Sequence, residues 1–178
     1  NYLLNEMIKQ GCEYCFMEVS SHAIAQGRIS GLNFAGGVFT NLTQDHLDYH
    51  NTFSEYRDVK KSFFDALPKT AFGLTNKDDQ NGMKMLEGTK ARRRTYSLKS
   101  VSDYKCRVLE DQFEGMLLNI NKVDVWVKLI GDFNAYNMLS VYAVANLLGF
   151  EDDQSLTAMS MLTAAEGRFQ YLQSEEKI

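Results

Sequence analysis

Proline occurs once in the 178 residues, as Pro68, and tryptophan once, as Trp126. So little proline excludes a chain dominated by polyproline segments or stiff linkers. Three cysteines, an odd number, exclude a closed disulfide framework and fit a reducing compartment. Three histidines are too few for a histidine-rich metal-dependent hydrolase. No run is apolar over enough residues to cross a bilayer. Asn1 to Glu6 lack the flanks of a signal peptide, so a cytoplasmic location is expected. They also lack an initiator methionine, which suggests a piece of a longer chain. Net charge is only -4, and the one dense basic run, Lys90-Ala91-Arg92-Arg93-Arg94, is short. It reads as a solvated strand edge, so neither nucleic acid nor a membrane is expected as a partner. No G-x-x-x-x-G-K-[ST] run occurs, so any phosphate loop must lie outside these residues.

What is present alternates between strand and helix. Leu3, Leu4, Met7 and Ile8 recur at helical spacing, and Gly11 suits the position past a helix end. Cys15 to Val19 reads as a short buried strand, and Gly37 to Leu42 as a second, with room between them for a crossover that lets them lie parallel. Cys12 and Cys15 have C-x-x-C spacing, but no second pair exists, and a buried Cys15 thiol beside a surface Cys12 is the plainer reading. Ala71 to Asn76 is a third strand, reached through a helix over Phe53 to Leu67. This pattern predicts an α/β fold with a mostly parallel sheet flanked by helices. Segments 94–98, 104–110, 116–120 and 123–129 then alternate or are β-branched, with turn residues Glu114-Gly115 and Asn121-Lys122 between them. They predict an antiparallel meander forming a small appended sheet over 92–130, with Trp126 in its core. A helix over Ala135 to Leu148 closes on Gly149, and another runs over Ser155 to Ala165 with Ser155 or Asp153 as its cap. Glu166 to Leu172 reads as a loop entering a further strand.

The stretch 41–64 joins strand, polar elbow and helix. At about 100° per residue, Phe53, Tyr56, Phe63, Phe64 and Leu67 share one arc. Lys60 falls inside that arc, whereas Lys61 points to the polar side with Asp58 and Asp65. A lysine there must snorkel, pair with a carboxylate, or be chemically special. Ligands of parallel sheets bind at the carboxyl ends of strands. Glu18, His46 and Lys60 all arrive there, and a carboxylate and an imidazole among oxygens suit Mg²⁺ or Mn²⁺ better than zinc. Each also has an ordinary explanation: an arginine partner for Glu18, helix capping for His46, snorkelling for Lys60. Asn134 and Asn137 share a helix face, where an amide either pairs with an adenine edge or caps the helix. Arg168 is either a phosphate or ribose contact or a surface ion pair.

Several of these residues together resemble the Mur ligases, and among them the branch that adds the third residue of the peptidoglycan stem peptide. The resemblance rests on Met17-Glu18-Val19-Ser20-Ser21-His22 followed by Gln26 and Arg28. It continues in Phe39-Thr40-Asn41-Leu42-Thr43-Gln44-Asp45-His46-Leu47-Asp48-Tyr49-His50, in Tyr56-x-x-x-Lys60, in Gly131-Asp132-Phe133-Asn134-x-x-Asn137 and in Gly167-Arg168-Phe169. It implies a three-domain enzyme whose central, P-loop NTPase-like domain is residues 1–172 without its phosphate loop, with 173–178 starting a linker. It implies ATP and Mg²⁺ as cofactors, with Glu18, His46 and a carbamylated Lys60 at the metal. Ser20, Gln26 and Arg28 would contact the UDP-N-acetylmuramoyl dipeptide, and Asn137 and Arg168 the adenosine. The second substrate would be a diamino acid, meso-diaminopimelate or L-lysine, and the enzyme a monomer. Phe133 stands where the family often has histidine. Two other readings remain beside this one: a folylpolyglutamate synthase-like ligase, which would lack the Glu18-to-His22 run, and a non-catalytic ligand-binding module.

Overall fold

The computed structural model describes residues 2–43 and 52–163. Helices α1 (Tyr2–Lys9) and α2 (Ser21–Ala25) precede β1 (Gly36–Phe39), α3 (Phe53–Asp65), β2 (Phe72–Asn76), α4 (Gly82–Met85) and β3 (Arg92–Ser97). Then come β4 (Tyr104–Gln112), β5 (Gly115–Ile120), β6 (Val123–Val127), α5 (Asp132–Leu147) and α6 (Asp152–Met161). The strands form one six-stranded sheet in chain order. Its pairings are parallel from β1 to β4 and antiparallel from β4 to β6.

Strand β2 shows why the sheet needs helices on both faces, because all five of its residues are buried. Phe72 and Leu74 point into one core with Tyr96, Leu118, Leu139 and Tyr142, beneath α5 and α6. On the opposite face lies a second core of Phe39, Tyr56, Phe64, Leu67, Met85 and Leu86, beneath α3 and α4. Gly73 faces that side, where an added Cβ would come within 2.9 Å of the Leu86 side chain. A residue with no side chain is what lets the two helices approach the strand there.

Helix α3 forms as its sequence dictates. Thr52 adopts extended backbone, and its hydroxyl accepts from Glu55 N at 3.1 Å, with Glu55 favouring the helix N-terminus by its charge. Tyr56 and Phe64 are buried, as the wheel predicts, and Lys61 pairs with Asp65 at 2.6 Å on the outer side. Helix α5 begins after Gly131 (φ 87°) and ends before Gly149 (φ 92°). Asn121 and Lys122, both at positive φ, make the tight turn between β5 and β6.

Several expectations need correction. Residues 12–20 form no strand, and Cys15, Phe16, Met17 and Glu18 are exposed. Apolar alternation records a segment's wish for burial, not its ladder partner. Here a cavity separates the segment from β1, so the two do not pair. The appended antiparallel meander is β4 to β6, joined to the parallel strands through β4; β3, expected to belong to it, is instead parallel to both of its neighbours. Trp126 is partly exposed, lying over Gly115. Helix α6 starts at Asp152 after Glu151, ahead of both expected caps. The basic run opens β3 with Arg92 and Arg93 exposed; β4 pairs only with Tyr96 and Ser97, so 92–95 is locally an edge. The segment 166–172 lies outside the described residues.

Both Cys12 and Cys15 are exposed, while Cys106 is buried and its thiol is pushed up to about 12 by desolvation. Since the thiolate is the reactive form, titration with a chromogenic disulfide reagent should modify Cys12 and Cys15 at once. Cys106 should react only after denaturant is added. Rapid reaction of all three thiols under native conditions would contradict this packing.

Candidate functional site

Strand β1, the segment 13–19 and the inner face of α3 line a cavity of about 490 Å³, which β2 reaches only through Phe72 at its amino end. Thr40, Asn41, Lys60 and Phe63 line it on one side and Cys15 and Met17 on the other. Lys60 reaches it from the apolar arc of α3, with its Nζ 5.6 Å from the centre of the Tyr56 ring. Desolvation lowers the Lys60 pKa, opposed by attraction to the Glu18 carboxylate. Glu18 and Lys60 are thus within electrostatic reach, although Glu18 does not end a strand as expected, because residues 12–20 form none. His46 lies outside the described residues, as do His50 and Arg168.

Ser20, Gln26 and Arg28 cluster around α2, which packs against α3. Ser20 caps α2: its Oγ accepts from Ala23 N at 3.2 Å. Gln26 is the residue that ends the helix, and Arg28 follows in the exposed turn after it. Three polar side chains are therefore presented beside the helix that carries Lys60. Asn137 belongs to α5, over β2, β3 and β4, and its Nδ2 donates to Asn134 Oδ1 at 3.4 Å. Asn134 in turn donates to Ile130 O at 2.9 Å, which leaves Asn137, the more exposed amide, to face outward.

The loop after β2, Asn76-Lys77-Asp78-Asp79, was not legible as a functional element. Asn76 Nδ2 donates to Thr40 O at 3.0 Å, and Asp79 Oδ2 accepts from Leu42 N at 3.1 Å. Asp78 accepts from Ser97 Oγ at 2.7 Å, from Leu98 N at 2.9 Å and from Lys99 N at 3.1 Å. It also accepts from Ser100 Oγ at 3.1 Å and from the Tyr136 hydroxyl at 2.9 Å. Burial would push the Asp78 carboxyl up, but the donors, Ser97 first and then Lys99, Tyr136 and Leu98, hold it down at about 2. The only sequence signal was a cluster of short acceptor side chains directly after a strand.

The donor set suits a hard cation. Among the described residues no three His, Cys, Asp or Glu side chains gather to hold a metal ion, and His46 lies outside those residues. A carbamate on Lys60 would be an anion facing the Glu18 carboxylate, and two facing anions call for a cation between them. Oxygen donors of this kind fit Mg²⁺. None of the described helices is long and apolar enough to cross a membrane.

Comparison with known proteins places these residues in context. The family model described as the Mur ligase middle domain matches residues 1–145. A UDP-N-acetylmuramoyl-L-alanyl-D-glutamate–2,6-diaminopimelate ligase of Phocaeicola vulgatus is 60% identical over 174 residues, 98% of this chain and 36% of that protein. A ligase of the same name from Bacteroides fragilis is 55% identical over 176 residues, 99% of this chain and again 36% of the relative. A solved structure of a ligase with that name superposes with a TM-score of 0.85 at 29% identity, covering 97% of this chain and 37% of the other. The chain thus spans little more than a third of the length of the relatives it matches.

Proposed function

We propose, because the chain belongs to the Mur ligase family as a middle domain, that it is the ATP-using core of a ligase adding diaminopimelate to UDP-N-acetylmuramoyl-L-alanyl-D-glutamate. The observation that carries this reading is the 60% identity over 98% of the chain to a relative named for that reaction. The desolvated Lys60 amine lining the cavity beside β1, with the Glu18 carboxylate within Coulombic reach, supports it from the side of chemistry. Residues 1–172 are the central domain and 173–178 lead toward a linker; the protein acts as a cytoplasmic monomer.

The reaction proceeds in two transfers. The terminal D-glutamyl carboxylate attacks the γ-phosphorus of ATP, giving an acyl phosphate and ADP. The amine of diaminopimelate then attacks the acyl carbon, phosphate departs, and the amine loses a proton as the amide forms. Glu18, His46 and a carbamylated Lys60 would hold Mg²⁺, which when bound would neutralise charge on the transferring phosphoryl group. Ser20, Gln26 and Arg28 orient the muramoyl dipeptide beside α3, and Asn137 and Arg168 hold the adenosine. A lysine serves here because its amine, desolvated against Tyr56, is more readily neutral, and only the neutral amine adds CO₂.

The test uses the intact protein that contains this chain. Incubation with ATP, Mg²⁺ and the UDP-muramoyl dipeptide should yield tripeptide, ADP and phosphate with meso-diaminopimelate, and far less with L-lysine, as read by mass spectrometry. Absence of tripeptide with either amino acid would overturn the reading. Equal use of L-lysine would overturn the choice of diaminopimelate alone.

A further inference from the structure

Two adjacent carboxylates hold two different parts of the site, and neither faces the reacting groups. Asp79, with Asn76, grips residues 40–42, the chain leaving β1 beside Lys60. Asp79 Oδ1 also accepts from Asn81 N at 2.8 Å, so the carboxylate is fixed on its own loop before it reaches across. Asp78 grips the other way. Its Oδ1 takes the hydroxyls of Ser97, which ends β3, and of Ser100 in the loop after it, and its Oδ2 takes Leu98 N, Lys99 N and the Tyr136 hydroxyl. Tyr136 stands on α5 one residue before Asn137 and two after Asn134. A hydrogen bond to an ionised carboxylate is stronger than a neutral one and fixes direction as well as distance. This bond pins the first turns of α5 to the carboxyl ends of β2 and β3.

We propose that Asp78 and Asp79 are positioning residues with separate tasks. Through Tyr136, Asp78 sets the pose of Asn137 toward the nucleotide, while Asp79 sets the 40–42 segment beside Lys60 and so the metal side. The division follows from the geometry, since the partners of the two carboxylates do not overlap. The inference rests on the ligase reading above, and the experiment separates the two.

In the full-length ligase, Tyr136→Phe removes one hydroxyl and nothing else. At saturating Mg²⁺ it should raise KM for ATP about tenfold while leaving KM for the muramoyl dipeptide within about twofold. Asp78→Asn should do the same. Asp79→Asn should instead raise the Mg²⁺ concentration for half-maximal rate about tenfold, with KM for ATP at saturating Mg²⁺ unchanged. If Asp78→Asn does not fold, Tyr136→Phe decides its half of the proposal alone, and ADP binding by calorimetry replaces KM where turnover is lost. Equal changes for every substrate, or a lowered melting temperature with all KM values intact, would show a merely structural role and overturn the proposal. A wild-type protein without ligase activity would overturn the ligase reading instead.

Discussion

Replacing Lys60 with alanine in the intact enzyme should reduce tripeptide synthesis by about a thousandfold or more, the scale expected when a group that organises charge stabilisation is removed. Helix α3 would survive, since alanine is the best helix former, the caps are Thr52 and Ala66, and the ion pairs along it are Arg57–Asp58 and Lys61–Asp65. What disappears is a position. Nζ sits 5.6 Å from the Tyr56 ring centre, half-buried, and feels the attraction of the Glu18 carboxylate. As an ammonium, Lys60 would simply neutralise Glu18 and leave little net charge to hold a cation. As a carbamate it reverses sign, and the site becomes dianionic. The same burial that lowers the amine's pKa would favour the proposed carbamylation. Short carboxylates such as acetate or formate should restore part of the activity of Lys60→Ala, because the vacated space can take an anion of that size. Activity assayed with and without added carboxylate checks both halves, and an undiminished rate in the alanine variant would remove the metal assignment altogether.

Replacing Gly82 with alanine should lower the apparent melting temperature by about 10 °C, corresponding to a loss of about 3 kcal/mol. Gly82 is buried at the start of α4, and an added Cβ would overlap the Asn76 carbonyl oxygen and approach Thr75 Oγ1 to 3.1 Å. Neither neighbour can yield cheaply. The Asn76 carbonyl belongs to the end of β2, and the Thr75 hydroxyl donates to Gly82 O at 2.9 Å. Backbone must move, and it is the backbone of the loop that carries Asp78 and Asp79. Activity should therefore fall together with stability. Lys84→Ala, on the exposed side of the same short helix, is the control and should leave the transition within about 2 °C. Scanning calorimetry distinguishes the two, and a Gly82→Ala transition matching that control would contradict the close approach of loop and helix.

The sequence was most readable where a residue's environment is set by neighbours on its own element. Lys60 was conspicuous because Tyr56, Phe63 and Phe64 lie within a turn or so of it, and the structure puts it half-buried against Tyr56. The central strand β2 was visible as an apolar run, and the ends of α5 were marked by Gly131 and Gly149. Glu18 was expected to end a strand, and that strand was not found. A strand exists only through its ladder, and Cys15 to Val19 lack one among the described residues. The parallel join between β3 and β4 was also hidden. The connection is too short for the usual helical crossover and is held by bonds from Leu98, Lys99 and Ser100 to Asp78. Asp78 itself was missed because its partners lie up to 58 residues away, where no periodicity points.

That join between β3 and β4 is only two residue pairs wide, Tyr96 with Tyr104 and Ser97 with Lys105. It divides the sheet into halves that differ in how far along the chain their partners lie. From β4 onward every strand meets its neighbour across a tight turn, so closing each pairing sacrifices little chain entropy. From β1 to β3 each pairing waits on an intervening segment that contains a helix. On loop-closure entropy alone, the β4–β6 hairpins are expected to assemble before the parallel pairings of β1 to β3, against the order of synthesis.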